Sequence, residues 1–488
     1  MTDPQRSEGL AVLELRLRHE LDLLELPAAP WVPSRATEGG LATDVVVIGA
    51  GMAGLAVAAK LRLFGVERVR VLDRAPAGQE GPWVTFARMR TLRSSKLHAG
   101  PALQLPSLTF RAWFEAQFGA DAWFSLGKAP RPLWMDYLRW FRRVMRVEVE
   151  NDCRVTLIRP REDGLLAIEH TGGPTIACRR VVLATGRDGL GGPAIPRFAE
   201  ALPRHLWSHA SEAIDFAALR GRRVAVVGAG ASAMDNAAAA LEAGCASLDM
   251  LVRRAAVPSD DIGTGFPGMI HGFASLPDAW KWRLMHLQLV VQNPPPRESV
   301  LRVFRHPQAR LHVASPIEAA EPAGDALRLV APQGAMIVDH LILGTGFRVD
   351  LSERPELARL APHVAFWRDR PEVAGWHANE ELLDSPDLAP DYAFRERQPG
   401  ACPMLRHIHC FNYAATLSHG KLSGDVRDIS HGVERLAQGL VASLFAEDVE
   451  HHARALPLSA KAELLGDEYP SPDDGRQAAP LPVRRRVI

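Results

Sequence analysis

Two stretches of this chain share the residue pattern of a phosphate-binding turn. Val46–Ala56 reads VVIGAGMAGLA and Val226–Asp235 reads VVGAGASAMD. Each is an apolar run, then a glycine-rich turn, then small residues suited to a closely packed helix. In the first, Gly49, Gly51 and Gly54 form G-x-G-x-x-G. One glycine permits the tight turn, one lets a ligand approach the backbone, and one lets helix pack on strand. A turn of this kind presents backbone N–H groups at the positive end of a helix, where phosphate is stabilised. The second turn carries Gly228, Gly230 and Ser232, with Ala233 in place of the third glycine.

The two turns belong to an internal repeat. Asp44–Arg74 and Arg223–Arg253 align without a gap from the first glycine onward. Each reads as apolar strand, glycine turn, Ala-rich helix, Gly and second strand, the order of a βαβ nucleotide-binding unit. The copies differ at the tip of the second strand. Copy one has Asp73, followed by Arg74, and a carboxylate there accepts hydrogen bonds from a ribose 2′-hydroxyl. Copy two has Val252 followed by Arg253 and Arg254. Guanidinium groups there suit a 2′-phosphate, which a carboxylate would repel. Copy one is expected to hold a dinucleotide with a free ribose, and copy two NADP.

Two more strands end alike, VVLATGRDG (181–189) and LILGTGFRVD (341–350). Thr185-Gly186 and Thr345-Gly346 are small-residue ends that bring backbone close to a cofactor. Between the repeats, CRVTLIRP, GLLAIEH and PTIACRR alternate as a β-meander does, and Val155 at its head joins the cofactor-binding candidates. Copy two therefore reads as inserted into the first unit.

The rest of the chain narrows the class. A length of 488 residues suits two to four domains at roughly 100–200 residues each. Lys+Arg and Asp+Glu both number 57, a balance that offers no footprint for nucleic acid or an anionic membrane. The five cysteines are scattered and include no CxxC pair, as in reduced cytosolic proteins. The start MTDPQRSEGL lacks the apolar core of a signal peptide. Val45–Ala59 is too short for a bilayer, which needs about 20 residues. The expectation is a soluble, cytoplasmic protein. Leu13, Leu17, Leu21 and Leu24 recur at helical spacing within residues 10–26, predicting an amphipathic helix docked on the body. CPMLRHIHC tempts a metal reading through His407 and His409, but its spacing fits no usual zinc pattern, and no metal is expected.

Taken together, GAGMAG with Asp73, GPW at Gly81–Trp83, both Thr-Gly strand ends and GAGASA with Arg253 resemble the class B flavin monooxygenases. This group of two-dinucleotide-binding-domain flavoproteins includes flavin-containing, N-hydroxylating and Baeyer–Villiger enzymes. LPSLTFRAWF (105–114) and RPLWMDYLRWF (131–141) resemble the N-hydroxylating branch, and the Baeyer–Villiger signature FxGxxxHxxxW is absent. The resemblance implies an α/β fold of two Rossmann-type dinucleotide-binding domains, the NADPH domain inserted into the FAD domain. The expected boundaries are an N-terminal helical extension and linker at 1–40, FAD domain at 41–214 and NADPH domain at 215–345, with a helical insertion near 277–305. The FAD domain returns with a C-terminal helix at 346–456, and a flexible tail occupies 457–488.

The resemblance further implies FAD and NADPH as cofactors. Hydride passes to the flavin, and reduced flavin carries O2 as a C4a-(hydro)peroxide that oxygenates a small organic substrate. N-hydroxylation of an amine or amino acid is slightly favoured over Baeyer–Villiger or S-oxygenation. A flavoprotein reductase without oxygen insertion and a catalytically vestigial flavin-binding interaction protein are the alternatives. Disulfide reduction is closed for want of a cysteine pair. Trp83, Arg90, Arg93 and Lys96 are the candidates to flank the flavin, where a cation stabilises developing negative charge. Asn412 is the candidate hydrogen-bond donor to NADP or the peroxide. Trp280, Trp282, Met285 and His286 either line a substrate channel or pack. The expected partners are a small-molecule substrate and O2, with no nucleic acid and no membrane, and self-association into a homo-oligomer is left open.

Overall fold

The computed structural model describes residues 4–263, 265–376, 379–456 and 463. The expected tail at 457–488 falls outside the described residues, apart from residue 463. Among the described residues no helix is long and apolar enough to cross a membrane.

The first half of the chain supplies helix α1 (Pro4–Leu23) and the βαβ unit β1 (Thr43–Ile48), α2 (Met52–Leu63) and β2 (Val69–Leu72). Helices α3 (Phe110–Ser125) and α4 (Arg131–Val144) follow. Then come the meander strands β3 (Val155–Pro160), β4 (Leu166–His170) and β5 (Ile176–Leu183), and the short strand β6 (Gly191–Pro193). TDVVVI of β1 is buried on both faces, as expected of an apolar, β-branched run at the centre of a parallel sheet. It pairs in parallel with β2 on one side and with β5 on the other, while β3, β4 and β5 run antiparallel. Helix α1 docks through buried Leu13 and Leu17, burial worth roughly 1.5–3 kcal/mol per side chain. Leu24 lies beyond the helix end and is exposed.

The second Rossmann sheet comprises β7 (Trp207–His209), β8 (Arg223–Val227), β9 (Ser247–Leu251), β10 (Ala309–His312) and, after a meander β11 (Ala319–Pro322), β12 (Leu327–Ala331) and β13 (Gly334–Val338), β14 (His340–Leu343). The spatial order is β10-β9-β8-β14-β7, all parallel. Its helices are α5 (Ala231–Glu242), α6 (Asp278–Val291) and α7 (Arg297–Phe304). The helix in each repeat stops at an equivalent glycine in the left-handed region, Gly65 (φ 75°) and Gly244 (φ 91°). The chain returns through β15 (Phe347–Val349), β16 (Ile408–Cys410), which pairs with β5, and α8 (Ile429–Glu447), which packs on α2.

Two boundaries differ from expectation. The second sheet begins before residue 215, because β7 pairs with β14 on its edge. The expected insertion at 277–305 divides into unlike parts. Helix α7 packs against α5 and leads into β10, so it is the ordinary crossover between parallel strands. Only α6 is extra, and it buries Trp282 and Met285 against Trp367, Val373 and Leu417 of the returning segment. Those two side chains are therefore buried in core packing, and Trp280 points outward, 52% exposed. The two connections between the sheets pair with each other, β6 antiparallel to β15.

Candidate functional site: two glycine cradles and the cleft between them

In the first repeat, β1 ends at Gly49 with φ 102°, a conformation side chains disfavour. A Cβ there would lie 2.5 Å from the carbonyl oxygen of Ala184, and one on Gly54 would lie 1.8 Å from that of Gly49. Gly51 stands across from Gly81, with only 3.9 Å between its would-be Cβ and the Gly81 Cα. No side chain caps α2, so its first N–H groups face this Cβ-free gap. Half-buried Trp83 keeps a buried, unpartnered indole N–H beside Gly81. A narrow cleft, free donors at a helix N-terminus and an orphaned N–H fit the pyrophosphate end of FAD.

Asp73 is buried at the tip of β2 and already accepts the Ala50 N–H (2.6 Å) and the Ala75 N–H (2.7 Å). It ties the glycine turn to the strand tip, and a ribose would share its remaining lone pairs. This reach follows from the short Asp side chain. Arg74 is exposed, 3.7 Å from Asp188. The Cys153 N–H donates to the Asp73 carbonyl (2.8 Å), which brings the head of β3, with Val155, alongside this tip.

The second repeat reproduces the cradle. Gly228 has φ 110°, and its Cβ would lie 2.7 Å from the Gly344 carbonyl oxygen. Gly230 opens onto free space, and α5 also starts without a side-chain cap. Ser232 is exposed in the first turn of α5. The third glycine is dispensable here because Gly344 makes room for the buried Ala233 methyl, which would lie 2.6 Å from a Cβ on Gly344. Sequence reasoning passed over Gly344, although its place before Thr345-Gly346, where the first repeat has Ala184, was a signal. Arg253 is exposed, with no ion pair or hydrogen bond among the described residues. Arg254 does not share its expected role: it donates to the carbonyls of Val290 (2.9 Å) and Leu289 (3.4 Å). A cation at that helix end is favoured by the helix dipole.

The cleft between the cradles sorts the remaining candidates. Arg93 is solvent-accessible yet walled by protein. Desolvation and neighbouring Arg187 pull its pKa below the usual arginine value, while Asp235 on α5 opposes them. Arg90 is diverted to the surface, where it pairs with Glu242 of α5 at 2.8 Å. Lys96 is not a flavin-side cation: its ammonium donates to the carbonyls of Trp123 (2.5 Å) and Leu126. There it caps α3 and lies 4.9 Å from the Trp123 ring centroid.

Asn412 is likewise unavailable as a donor. It is buried, its amide N–H groups serve the Leu183 carbonyl (3.3 Å) and Thr185 Oγ1 (3.2 Å), and its oxygen accepts the Ala414 N–H (3.0 Å). It clamps the end of β5 to the loop after β16. Thr185 also donates to Gly189 (3.2 Å), and Thr345 donates to Ala194 (2.6 Å). Both hydroxyls hold the linkers, leaving Gly186 and Gly346, each at φ 83°, as the close-approach backbone. A cavity of about 360 Å³ lies elsewhere, between Trp282 and Trp376. Its Arg370 is already paired with Asp387 and Asp278.

Known proteins match this arrangement. The family described as pyridine nucleotide-disulphide oxidoreductase matches residues 46–262. An FAD-dependent urate hydroxylase from Xanthomonas campestris pv. campestris is 38% identical over 468 residues, 95% of this chain and 99% of that protein. This chain belongs to the family of that FAD-dependent hydroxylase. Solved structures agree on the fold. The ornithine hydroxylase from Pseudomonas aeruginosa has a TM-score of 0.66 at 18% identity, covering 83% of this chain and 100% of its own. The ornithine N-hydroxylase of Kutzneria sp. 744, with reduced FAD, NADP+ and L-ornithine, has a TM-score of 0.63 at 17% identity, again covering 83% and 100%. The protein is an FAD-dependent oxidoreductase. All five of its cysteines are free and buried. Burial raises the pKa of the Cys245 thiol to about 11 and that of Cys410 to about 12. Thiols so hard to ionise are poor nucleophiles for disulfide exchange.

Proposed function

We propose that this monooxygenase hydroxylates urate, or a closely similar planar and anionic oxopurine, in the cleft between its two nucleotide units. The observation that carries the proposal is the urate hydroxylase similar to this chain from end to end. The slight lean toward amine N-hydroxylation rests on the segments 105–114 and 131–141, to which the solved hydroxylases add likeness of fold. The Gly49–Gly51–Gly54 turn, Asp73, Val155 and Trp83 would hold FAD, with its pyrophosphate on α2. Gly228, Gly230, Ser232 and Arg253 would hold NADPH, with its 2′-phosphate on Arg253. Bound FAD, reduced by NADPH, supplies the activated oxygen. One oxygen atom enters the substrate and the other leaves as water.

The chain's own contribution is orientation and charge. Arg93 would stabilise negative charge in the cleft, since no described residue pairs with it and Asp235 acts on it only at longer range. Asp235 is itself tied to Ser299 (2.7 Å) and Arg302 (3.3 Å). We assign the strands from Trp207 to Leu343 to the NADPH unit, the flanking segments to the FAD unit, and the reaction to the cytoplasm, which free thiols support.

Oxygen uptake with purified enzyme, NADPH and urate tests the proposal. Urate-dependent O2 consumption matched one to one by NADPH oxidation and urate loss is expected. NADPH oxidation that urate leaves unchanged would refute the substrate assignment.

A further inference from the structure

The tip of β5 carries an arginine that the established cofactor chemistry does not use. Gly186, at φ 83°, turns the chain out of the sheet, and Arg187 follows it with an exposed side chain. The Tyr413 N–H donates to the Gly186 carbonyl at 3.2 Å, which sets the Tyr413 ring beside the tip. The Arg187 guanidinium lies 4.0 Å from that ring's centroid. The Tyr413 hydroxyl in turn donates to Glu381 Oε1 at 3.4 Å. Arg187 is thus held against an aromatic plate that is itself anchored at both ends.

Several arginines elsewhere in the fold are spent on carboxylates. Arg142 pairs with Glu80, Arg302 with Glu242 and Arg370 with Asp387. Among the described residues Arg187, Arg93 and Lys421 have no ion pair, although Glu381 lies in range of Arg187, and Asp425 and Asp261 in range of Lys421. Burial chiefly, and Arg187 in addition, lower the pKa of both Arg93 and Lys421, so the three cations act on one another. Gathering like charges in a protein-walled cleft is unfavourable until an anion joins them.

We infer that Arg187 is the specificity residue of the substrate site: held by Tyr413, its guanidinium offers a two-donor fork to a carbonyl oxygen and the adjacent deprotonated ring nitrogen of a flat heterocycle, with Arg93 and Lys421 adding positive charge. This rests on the urate reading above. With two parallel hydrogen bonds a planar guanidinium matches an O–C–N edge whose nitrogen is deprotonated, as an ammonium cannot. The same cations repel a protonated amine, so the cleft selects against cationic substrates as well as for the anion. Tyr413 is a positioning residue that acts through Arg187.

The test titrates urate into the oxidised, FAD-loaded enzyme without NADPH, so that no turnover occurs, and reads the flavin absorbance. Steady-state KM and kcat are measured alongside. Arg187→Ala should raise Kd and KM about 10- to 100-fold, the loss typical of a charged hydrogen-bonded pair, with FAD content and saturated kcat little changed. Arg187→Lys should recover only part of the loss. Tyr413→Phe, which keeps the plate, should raise KM less than Tyr413→Leu. An FAD-loaded Arg187→Ala enzyme that binds urate within about twofold of wild type, well inside the loss expected of such a pair, would overturn the inference. Should that variant lose its flavin, an unchanged KM in Arg187→Lys would do the same. Wild-type enzyme that neither binds nor consumes urate would instead sink the substrate reading itself, and the clamp with it.

Discussion

The two arginines after β9 look interchangeable in the sequence, yet the structure gives them different work, and coenzyme choice should divide accordingly. Arg253 is exposed with no partner among the described residues, whereas Arg254 is spent on the carbonyls of Val290 and Leu289. A guanidinium about 4 Å from one phosphate charge gains roughly 4 kcal/mol at an effective dielectric of about 20. Exposure and salt screening reduce this toward about 1–2 kcal/mol. At about 1.4 kcal/mol per factor of ten, Arg253→Ala should lower the NADPH-to-NADH ratio of kcat/KM by roughly 5- to 30-fold, nearly all of it through NADPH. Arg254→Ala should shift that ratio by no more than about threefold and instead loosen the end of α6, costing about 1 kcal/mol of stability. The assay is initial-rate kinetics with both coenzymes, beside urea unfolding of each variant. A ratio that survives Arg253→Ala, or collapses in Arg254→Ala alone, would refute this division.

Three further outcomes are expected. Lys96→Met should lower the urea midpoint by the equivalent of about 1–2 kcal/mol through loss of the α3 cap while the folded enzyme keeps its kcat; a large fall in kcat with intact FAD would restore Lys96 to the flavin. Gly344→Ala should destabilise and weaken NADPH binding, since its Cβ would meet that of Ala233 at 2.6 Å and the Val227 carbonyl oxygen at 2.7 Å. Adding Ala233→Gly should recover part of the loss, so additive single and double variants would contradict the packing account. His419, buried and stacked on Tyr392 at 3.7 Å, has its pKa lowered to about 3, chiefly by desolvation and then by Arg435. A depressed histidine pKa means that the unfolded chain binds the proton first. Its stability contribution is therefore complete above the unfolded pKa of about 6.5 and is lost as pH falls toward 3. His419→Gln should flatten the fall in urea midpoint between pH 7.5 and 5, and an unchanged slope would count against it.

Most of the scaffold was legible because it repeats. Glycines in the left-handed region recur at Gly49 and Gly228, and again at Gly65 and Gly244, so one local rule written twice revealed both Rossmann units. The site was less legible because side-chain roles depend on what folds back from afar. Lys96 sits in the same basic run as Arg93, and only the arrival of the end of α3 removes it from the cleft. Asn412 looked like a free amide, but β16 lays it against β5, where every group it has is used. Arg187 was hidden in plain view behind Thr185-Gly186, since nothing local marks the approach of Tyr413. Helix α7 read as an insertion because the short strand β10 after it has little apolar signal of its own.

On the proposed reading one polypeptide holds FAD in its first cradle, takes electrons from NADPH in its second, and spends them on a substrate through O2. The most direct measurement follows NADPH absorbance and dissolved O2 together in the purified yellow enzyme, before and after adding urate. A slow background that rises on addition, with NADPH, O2 and urate consumed in equal amounts, is the expected result. NADPH oxidation that proceeds equally well without O2, or a protein that holds no flavin, would contradict it.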